Sequence, residues 1–147
     1  MPNYEDSGAK SLIKPKYDKP YVIKDRQKKI AEKMNLIIKP SDNHLKKLDV
    51  FRFKIDKETG KTTKLLKKVA EIGGRYQDGK WYGDYASYLQ DPKDRYGNKV
   101  NADERRRLYK ARHRHEKKLV SPKDKKKDPR LKTGFTPSHY ADAILWS

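Results

Sequence analysis

The chain has 147 residues and carries 38 Lys and Arg against 20 Asp and Glu, a formal net charge of +18. It contains no Cys, which excludes disulfides and thiolate metal sites, and no apolar run approaches the ~20 residues of a membrane span. Its length fits one small domain, yet only 27 residues are Leu, Ile, Val or Phe. Because such a chain buries little apolar surface and repels itself, we expect neighbours in a large assembly to help order it.

Residues 1–47 are predicted to form an extended arm that carries one short helix. Three prolines within the first 20 residues prevent a regular helix through this segment. Aromatic side chains are interspersed with lysines, and a purely solvated tail would not need them. We therefore expect Tyr17 and Tyr21 to anchor the arm along a partner, with simple disorder as the alternative.

The short helix of the arm is predicted from Asp25, as its N-cap, to Leu36, because apolar residues recur there at helical spacing. The apolar run that ends at Pro40 leaves its end open. Ser41-Asp42 is predicted to cap one further helical turn.

Residues 48–147 are predicted to form a second, compact unit that begins with a β-hairpin. Apolar and basic residues alternate from Val50 to Ile55, and after a loop a second run extends from Lys61 to Ile72. The second run also fits a helical period after Leu65, so a helix there remains an alternative.

An aromatic, turn-rich segment follows, in which Gly83-Asp84-Tyr85 is predicted to start a short helix that ends before Pro92. Trp81, Tyr82 and Tyr85 belong to it. Such a cluster is more often a small core or a protein contact than a surface that stacks on single-stranded bases, so we assign these residues as aromatic anchors.

The clearest helix signal extends from Asn101, as the N-cap, to Lys118, with acidic residues in its first turn and lysines at its negative end. Ser121-Pro122 is expected to end it, and residues 123–132 are expected to form a charged loop. A last helix is predicted with Thr136 as its cap and Pro137 at its first position. The apolar residues of this last helix, with Trp146, are expected to pack on the rest of the unit.

The basic helix resembles part of a known family. It shows, in order, an acidic pair at Asp103-Glu104, three arginines, Tyr109 and then Arg112-His113; Gly134-Phe135 and a closing Ala143-Ile144-Leu145-Trp146 follow. Residues 48–147 are in this respect similar to small basic proteins of unknown function from large DNA viruses of algae and protists and from some phages. The resemblance implies a viral origin, a compact hairpin-plus-helices unit and no enzymatic activity. It also implies that Arg112 pairs with a carboxylate while at least half buried.

The basic side chains of this segment are the candidate contacts for a partner or for nucleic acid. Three interpretations are open: an arginine network that stacks on Tyr and Trp and pairs with Asp84 and Asp103, phosphate binding, or simple solvation. Leu108 and Tyr109 are expected to face the hairpin. The candidate contacts are Arg105, Arg106, Arg107, Lys110, Arg112, Arg114, Lys117 and Lys118, and Phe135 and Trp146 complete the aromatic anchors.

The sequence offers no catalytic or metal site. His113 and His115 are two residues apart, which places them on different sides of a helix, whereas ligands on one face need a spacing of three or four. The acidic residues are scattered and no phosphate-binding glycine loop is present. We therefore expect neither enzymatic activity nor a cofactor nor a bound metal.

Together these observations predict an α+β fold: a small hairpin packed with two or three short helices, plus an extended N-terminal arm. The predicted function is that of a virion structural protein, a minor capsid or cement component. Its partners would be the major or other capsid proteins and, through phosphates, the packaged genome; it would be located in the virion, after assembly in the host cytoplasm or nucleus. The alternative is a sequence-independent nucleic-acid-binding protein that compacts the genome or is ordered on RNA as ribosomal proteins are.

Overall fold

The structure, a computed structural model, describes residues 20–147, which form an α+β fold as predicted. Within this range, a three-stranded sheet is joined by a two-stranded sheet and five α-helices, and the last helix continues into a π-helical turn. None of the helices in residues 20–147 has the length and apolar character needed to cross a membrane. Of the proposed aromatic anchors, Tyr17 lies outside the described residues.

The larger sheet is antiparallel and has the order β1 (Ile37–Pro40), β2 (Leu48–Ile55) and β3 (Thr62–Ile72). The predicted hairpin is confirmed as β2 and β3, and the alternative of a helix after Leu65 is wrong. β1 was not predicted as a strand. It lies at the sheet edge, where its terminal Pro40 is tolerated because an edge position does not need every N–H of the ladder.

The sheet crosses the boundary that the sequence suggested at residues 47 and 48, because β1 pairs with β2. The arm helix is shorter than predicted: α1 (Asp25–Lys33) has Lys24 at its N-cap position, so Asp25 lies in the first turn instead of capping it. Ser41-Asp42 does not begin a helical turn. The Ser41 hydroxyl donates instead to the Asp49 carboxylate at 2.6 Å, which shapes the loop into β2.

The helices after the hairpin are partly as predicted. Asp84 caps α2 (Tyr85–Gln90) by accepting from the backbone N–H of Ser87 at 2.9 Å, and Asn101 caps α3 (Ala102–His113) by accepting from Glu104 at 2.9 Å. α3 ends at His113, so the expectation that Lys117 and Lys118 occupy its last turn is wrong. Those lysines lead instead into a short strand.

The C-terminal region contains β4 (Leu119–Val120), α4 (Pro122–Lys127), β5 (Gly134–Phe135) and α5 (Pro137–Tyr140), followed by a π-helical turn, Ala141–Leu145. α4 corrects the predicted charged loop. Its Ser121 hydroxyl accepts from the backbone N–H of Asp124, and the Asp124 carboxylate in turn accepts from the Ser121 backbone N–H. The predicted cap of the last helix by Thr136 is confirmed.

One apolar core joins the sheet to both ends of the described chain. α5 packs on β3, the π-helical turn packs on α1, and Trp146 is buried in the same core, as expected for the closing apolar residues. Leu48 and Val50 are fully buried, at 0 % exposure. The buried members of the core are Tyr21, Ala31, Leu36, Leu48, Val50, Ala70, Ile72, Tyr85, Tyr140, Ile144, Leu145 and Trp146.

Candidate functional site

A buried polar network ties the segment before α1 to the sheet and to α2. The Lys47 ammonium lies 2.7 Å from the Asp84 carboxylate, and the two side chains are 1 % and 0 % exposed. The Tyr21 hydroxyl donates to the same carboxylate at 2.6 Å and accepts from the Gln27 amide at 2.9 Å. Because each member has its hydrogen-bond partner, the network fixes how these elements dock.

The protonation states of this network follow from burial and charge. Burial alone would raise the pKa of Asp84, but the Lys47 ammonium and the hydrogen bonds hold it below its usual value. Burial lowers the pKa of Lys47, an effect that the Asp84 carboxylate opposes. Burial, and then the charge of Asp84, raise the pKa of Tyr21. At neutral pH the Asp84 carboxyl is therefore ionised and the Tyr21 phenol is neutral, and the network is structural.

Several predicted aromatic anchors pack inside the molecule. Tyr21 contacts Trp81 edge to face, with 5.7 Å between the ring centroids. Tyr109 stacks on Trp146 at 4.5 Å with an interplanar angle of 9°, which places it against the C-terminal segment. The Tyr85 hydroxyl donates to the Asp103 carboxylate at 2.7 Å.

Two of the anchors remain about half exposed. Tyr82 is 49 % exposed and lies against the Tyr76 ring, with 4.2 Å between centroids. Phe135 is 50 % exposed and stacks on the imidazole of His139 at 4.0 Å. These two rings are therefore accessible for contact with a partner.

Four of the eight candidate basic residues are paired with carboxylates. Arg106 lies 3.5 Å from Asp103, Arg107 pairs with Glu104, Lys110 lies 3.1 Å from Asp142 and Lys117 lies 3.1 Å from Asp124. All four are local or surface pairs. The positive charge of α3 is therefore partly neutralised within the molecule.

The other four candidates have no ion pair within residues 20–147. Arg105 lies 5.7 Å from the Tyr88 ring and the Lys118 ammonium donates to the Ser138 hydroxyl at 2.6 Å. The guanidinium of Arg114 donates to the imidazole of His115 at 3.3 Å. Arg112 is exposed and contacts no carboxylate of the described chain, which differs from the half-buried pair that the resemblance implied. Among residues 20–147 the buried cation is instead Lys47, which is 1 % exposed.

The predicted arginine network is present in part. The Arg106 guanidinium lies 4.0 Å from the Tyr85 ring, and Arg95 lies 3.8 Å from the Tyr76 ring. Asp84, which the sequence placed opposite an arginine, pairs with a lysine instead. The stack of Arg106 on Tyr85 assigns that side of α3 to internal packing.

A second cationic surface, which the sequence did not single out, lies between the hairpin and the C-terminal segment. We call it the basic cleft. One wall comes from β2 and β3 and the other from residues 125–140, and among residues 20–147 no Asp or Glu lines the cleft. Its basic residues are Arg52, Lys67, Lys68, Lys125, Arg130 and Lys132.

Four of these cations lack a counter-ion within residues 20–147, and one of the four, Lys125, donates to the Leu131 backbone carbonyl. Arg52, Lys67 and Lys132 are exposed and contact no carboxylate of the described chain, whereas Lys68 lies 2.8 Å from Glu71. Arg52 and Lys67 are direct cross-strand partners in the β2–β3 register. Like charges at such positions face the same side of the sheet and destabilise the pairing. A bound anion would relieve this repulsion.

Phe135 also lines the basic cleft, beside these cations. The His139 imidazole packs under its ring, and burial lowers the pKa of His139. Phe135 is therefore a half-exposed aromatic platform, and the His139 imidazole beneath it is largely neutral at pH 7. Sequence reasoning named Phe135 but missed the cleft, because its walls are some 70 residues apart along the chain.

No group of three or more His, Asp or Glu residues is placed to hold a metal ion anywhere in the described part of the chain. Comparisons of the chain with family models, curated proteins and solved structures found no match. The resemblance to viral basic proteins therefore stays a prediction.

Proposed function

We propose that this protein is a non-enzymatic structural component of a virus particle, a minor capsid or cement protein that binds the packaged genome and neighbouring capsid proteins. The observation that carries the proposal is a concentration of cations without counter-ions in the basic cleft, which no carboxylate of the described chain lines, in a molecule of net charge +18. Phosphate is the anion that such a surface binds without reading a base sequence.

The proposed location in a virus particle depends on the resemblance of residues 103–113 and 134–146 to the viral basic proteins. Contact with capsid proteins is supported by two half-exposed features, the Tyr82 ring and the exposed apolar tip of the hairpin. At that tip Ile55 is 55 % exposed and Leu65 is 65 % exposed. Apolar contacts of this kind supply affinity, and the basic surface supplies electrostatic complementarity.

Binding of oligonucleotides as a function of salt tests the nucleic-acid part of the proposal. Fluorescence anisotropy with labelled DNA and RNA of mixed sequences should give similar affinities. The logarithm of the association constant should fall linearly with log salt, with a slope of about −2 or steeper if Arg52, Lys67 and Lys132 each meet a phosphate. The absence of measurable binding near 150 mM salt would contradict this part.

Quantitative mass spectrometry of purified particles tests the setting. A capsid or cement protein should be present in a fixed copy number and should resist removal by nuclease and salt washes. Recovery with free genome or with ribosomes, and not with particles, would favour the second candidate, a genome-compacting or ribosome-like protein. That candidate is supported by the same basic cleft, because it uses the same phosphate contacts.

A further inference from the structure

We propose that the basic cleft binds single-stranded nucleic acid, with an unpaired base stacked on Phe135 and the neighbouring phosphates held by Arg52, Lys67 and Lys132. The inference rests on the proposed function and adds to it the strand state of the ligand and the residues that hold it. Single-stranded DNA and RNA both provide the unpaired bases and the phosphates that this binding requires.

The register of the hairpin places two cations of the basic cleft next to each other. Arg52 and Lys67 lie opposite each other without a counter-ion in the described chain, and Lys132 faces them from the other wall of the cleft. Folding alone gives no reason to place like charges together, because the arrangement costs stability. An extended polyanion between the two walls would neutralise both sides at once.

Phe135 provides an aromatic surface on which a base can stack. Its ring is 50 % exposed inside a charged cleft, and its inner side is occupied by His139 at a centroid distance of 4.0 Å and an interplanar angle of 18°. One ring face or edge is thus left for a ligand. A base can stack on an aromatic side chain only when it is released from its own helix, so the platform favours an unpaired strand over a duplex.

Lys125 supports the shape of the second wall. Its ammonium donates to the Leu131 backbone carbonyl at 3.0 Å, which ties α4 to the segment that leads into Phe135. Arg130 is held by Asp128 at 3.0 Å. Lys125 is therefore committed to the fold of the wall, whereas Arg130, which is 89 % exposed, has a local counter-ion two residues away. Lys132 is the cation of this wall with neither tie within residues 20–147.

The test compares a single-stranded oligonucleotide with an abasic oligonucleotide of equal length, which has the phosphates but no bases. The full chain should bind the base-bearing strand at least about five-fold more tightly, in line with stacking measured by alanine substitution. Phe135→Ala should remove this difference, Phe135→Trp should restore it, and Tyr96→Ala, at an exposed aromatic outside the cleft, should keep it.

The charge contacts are tested with variants of equal net charge. Arg52→Gln/Lys67→Gln should weaken binding of both oligonucleotides and make the salt slope shallower by about 1.4, at roughly 0.7 per phosphate contact on a single strand. Lys57→Gln/Lys61→Gln, at the exposed loop between β2 and β3, should change both much less. Thermal melts check that all variants fold.

Different binding results would overturn the assignment to single-stranded nucleic acid and the proposed function. Equal binding of abasic, base-bearing and duplex probes, with no effect of Phe135→Ala, would overturn the single-strand assignment while leaving phosphate binding intact. Binding of poly-glutamate as tight as that of the base-bearing strand would assign the cleft to an acidic protein. If no oligonucleotide binds near physiological salt, the proposed function itself fails.

Discussion

Asp84 combines two roles, because its carboxylate caps α2 and also balances the buried charge of Lys47. Asp84→Asn keeps a side chain that caps helices equally well but removes the charge. We expect the variant to lower the free energy of unfolding by about 3–5 kcal/mol, since it leaves a buried ammonium without a counter-ion. Urea denaturation measures the change.

The matched control is Asp103→Asn, at an exposed carboxylate whose pair with Arg106 is worth at most about 1 kcal/mol and whose bond from the Tyr85 hydroxyl the amide oxygen can still accept. The double variant Lys47→Met/Asp84→Asn should recover part of the loss, because it removes both charges. A cost for Asp84→Asn no greater than that for Asp103→Asn would contradict the assignment of the network.

Tyr109 makes stability depend on pH in the alkaline range. Burial first, and then nearby carboxylates, raise its pKa from 10.0 to about 12. The unfolded chain therefore loses this proton before the folded chain does. The stabilisation is complete below pH 10 and is lost as the pH rises towards 12.

Tyr109→Phe keeps the stack on Trp146 and removes the ionisation. Its free energy of unfolding should fall less steeply than that of the wild type between pH 10 and 12, as followed by circular dichroism in urea. Tyr96→Phe, at a side chain that is 76 % exposed, serves as the control. Parallel curves for wild type and Tyr109→Phe would contradict the prediction.

Local patterns predicted single residues well only where the interaction is local. Asn101 and Thr136 are recognised as caps, and Gly83-Asp84-Tyr85 as the start of a helix, because the signal lies within three residues of each. The partner of Asp84 could not be found in this way, because Lys47 precedes it by 37 positions along the chain. Lysine is also rarely buried, so composition favours an exposed side chain at that position.

Gly73, directly after β3, lies against the side chain of Lys47, and the close approach requires a residue without a Cβ. Its φ is +85°, and an added Cβ would lie 2.6 Å from two carbons of the Lys47 side chain. Gly97 has nearly the same φ, +83°, but an added Cβ there would have open space. Alanine costs about 1–2 kcal/mol at either position because of the left-handed backbone.

Gly73→Ala should therefore destabilise the fold by at least about 1 kcal/mol more than Gly97→Ala, because crowding adds to the backbone strain. Chemical denaturation of the two variants side by side measures the difference. Equal losses would show that the turn after β3 can shift away from Lys47 without cost.

The helices and strands that can be predicted from the sequence are those whose ends are marked by a local start or stop signal. The hairpin follows from its alternation, whereas β1 was missed because its short apolar run reads equally well as a helix end. α4 was missed because Ser121-Pro122 was taken as a stop signal, although the same pair starts a helix. α3 ends early because β4 pairs with β5, a contact between distant segments.

The whole molecule is governed by its charge excess. Surface ion pairs contribute at most about 1 kcal/mol each, whereas a net charge of +18 opposes every compact state. Sodium chloride screens both effects, and we expect the relief of repulsion to dominate. The thermal midpoint of the isolated protein should therefore rise between about 10 and 150 mM salt, by calorimetry; a falling midpoint would contradict this balance.

The basic cleft is the part of the molecule on which the functional account depends, and protection of its lysines by a bound strand tests it most directly. The full chain is acetylated with and without a saturating single-stranded oligonucleotide, and each lysine is quantified by mass spectrometry. We predict strong protection of Lys67 and Lys132, with little change at Lys57 and Lys61. Uniform protection, or protection confined to Lys110 and Lys117, would contradict the account.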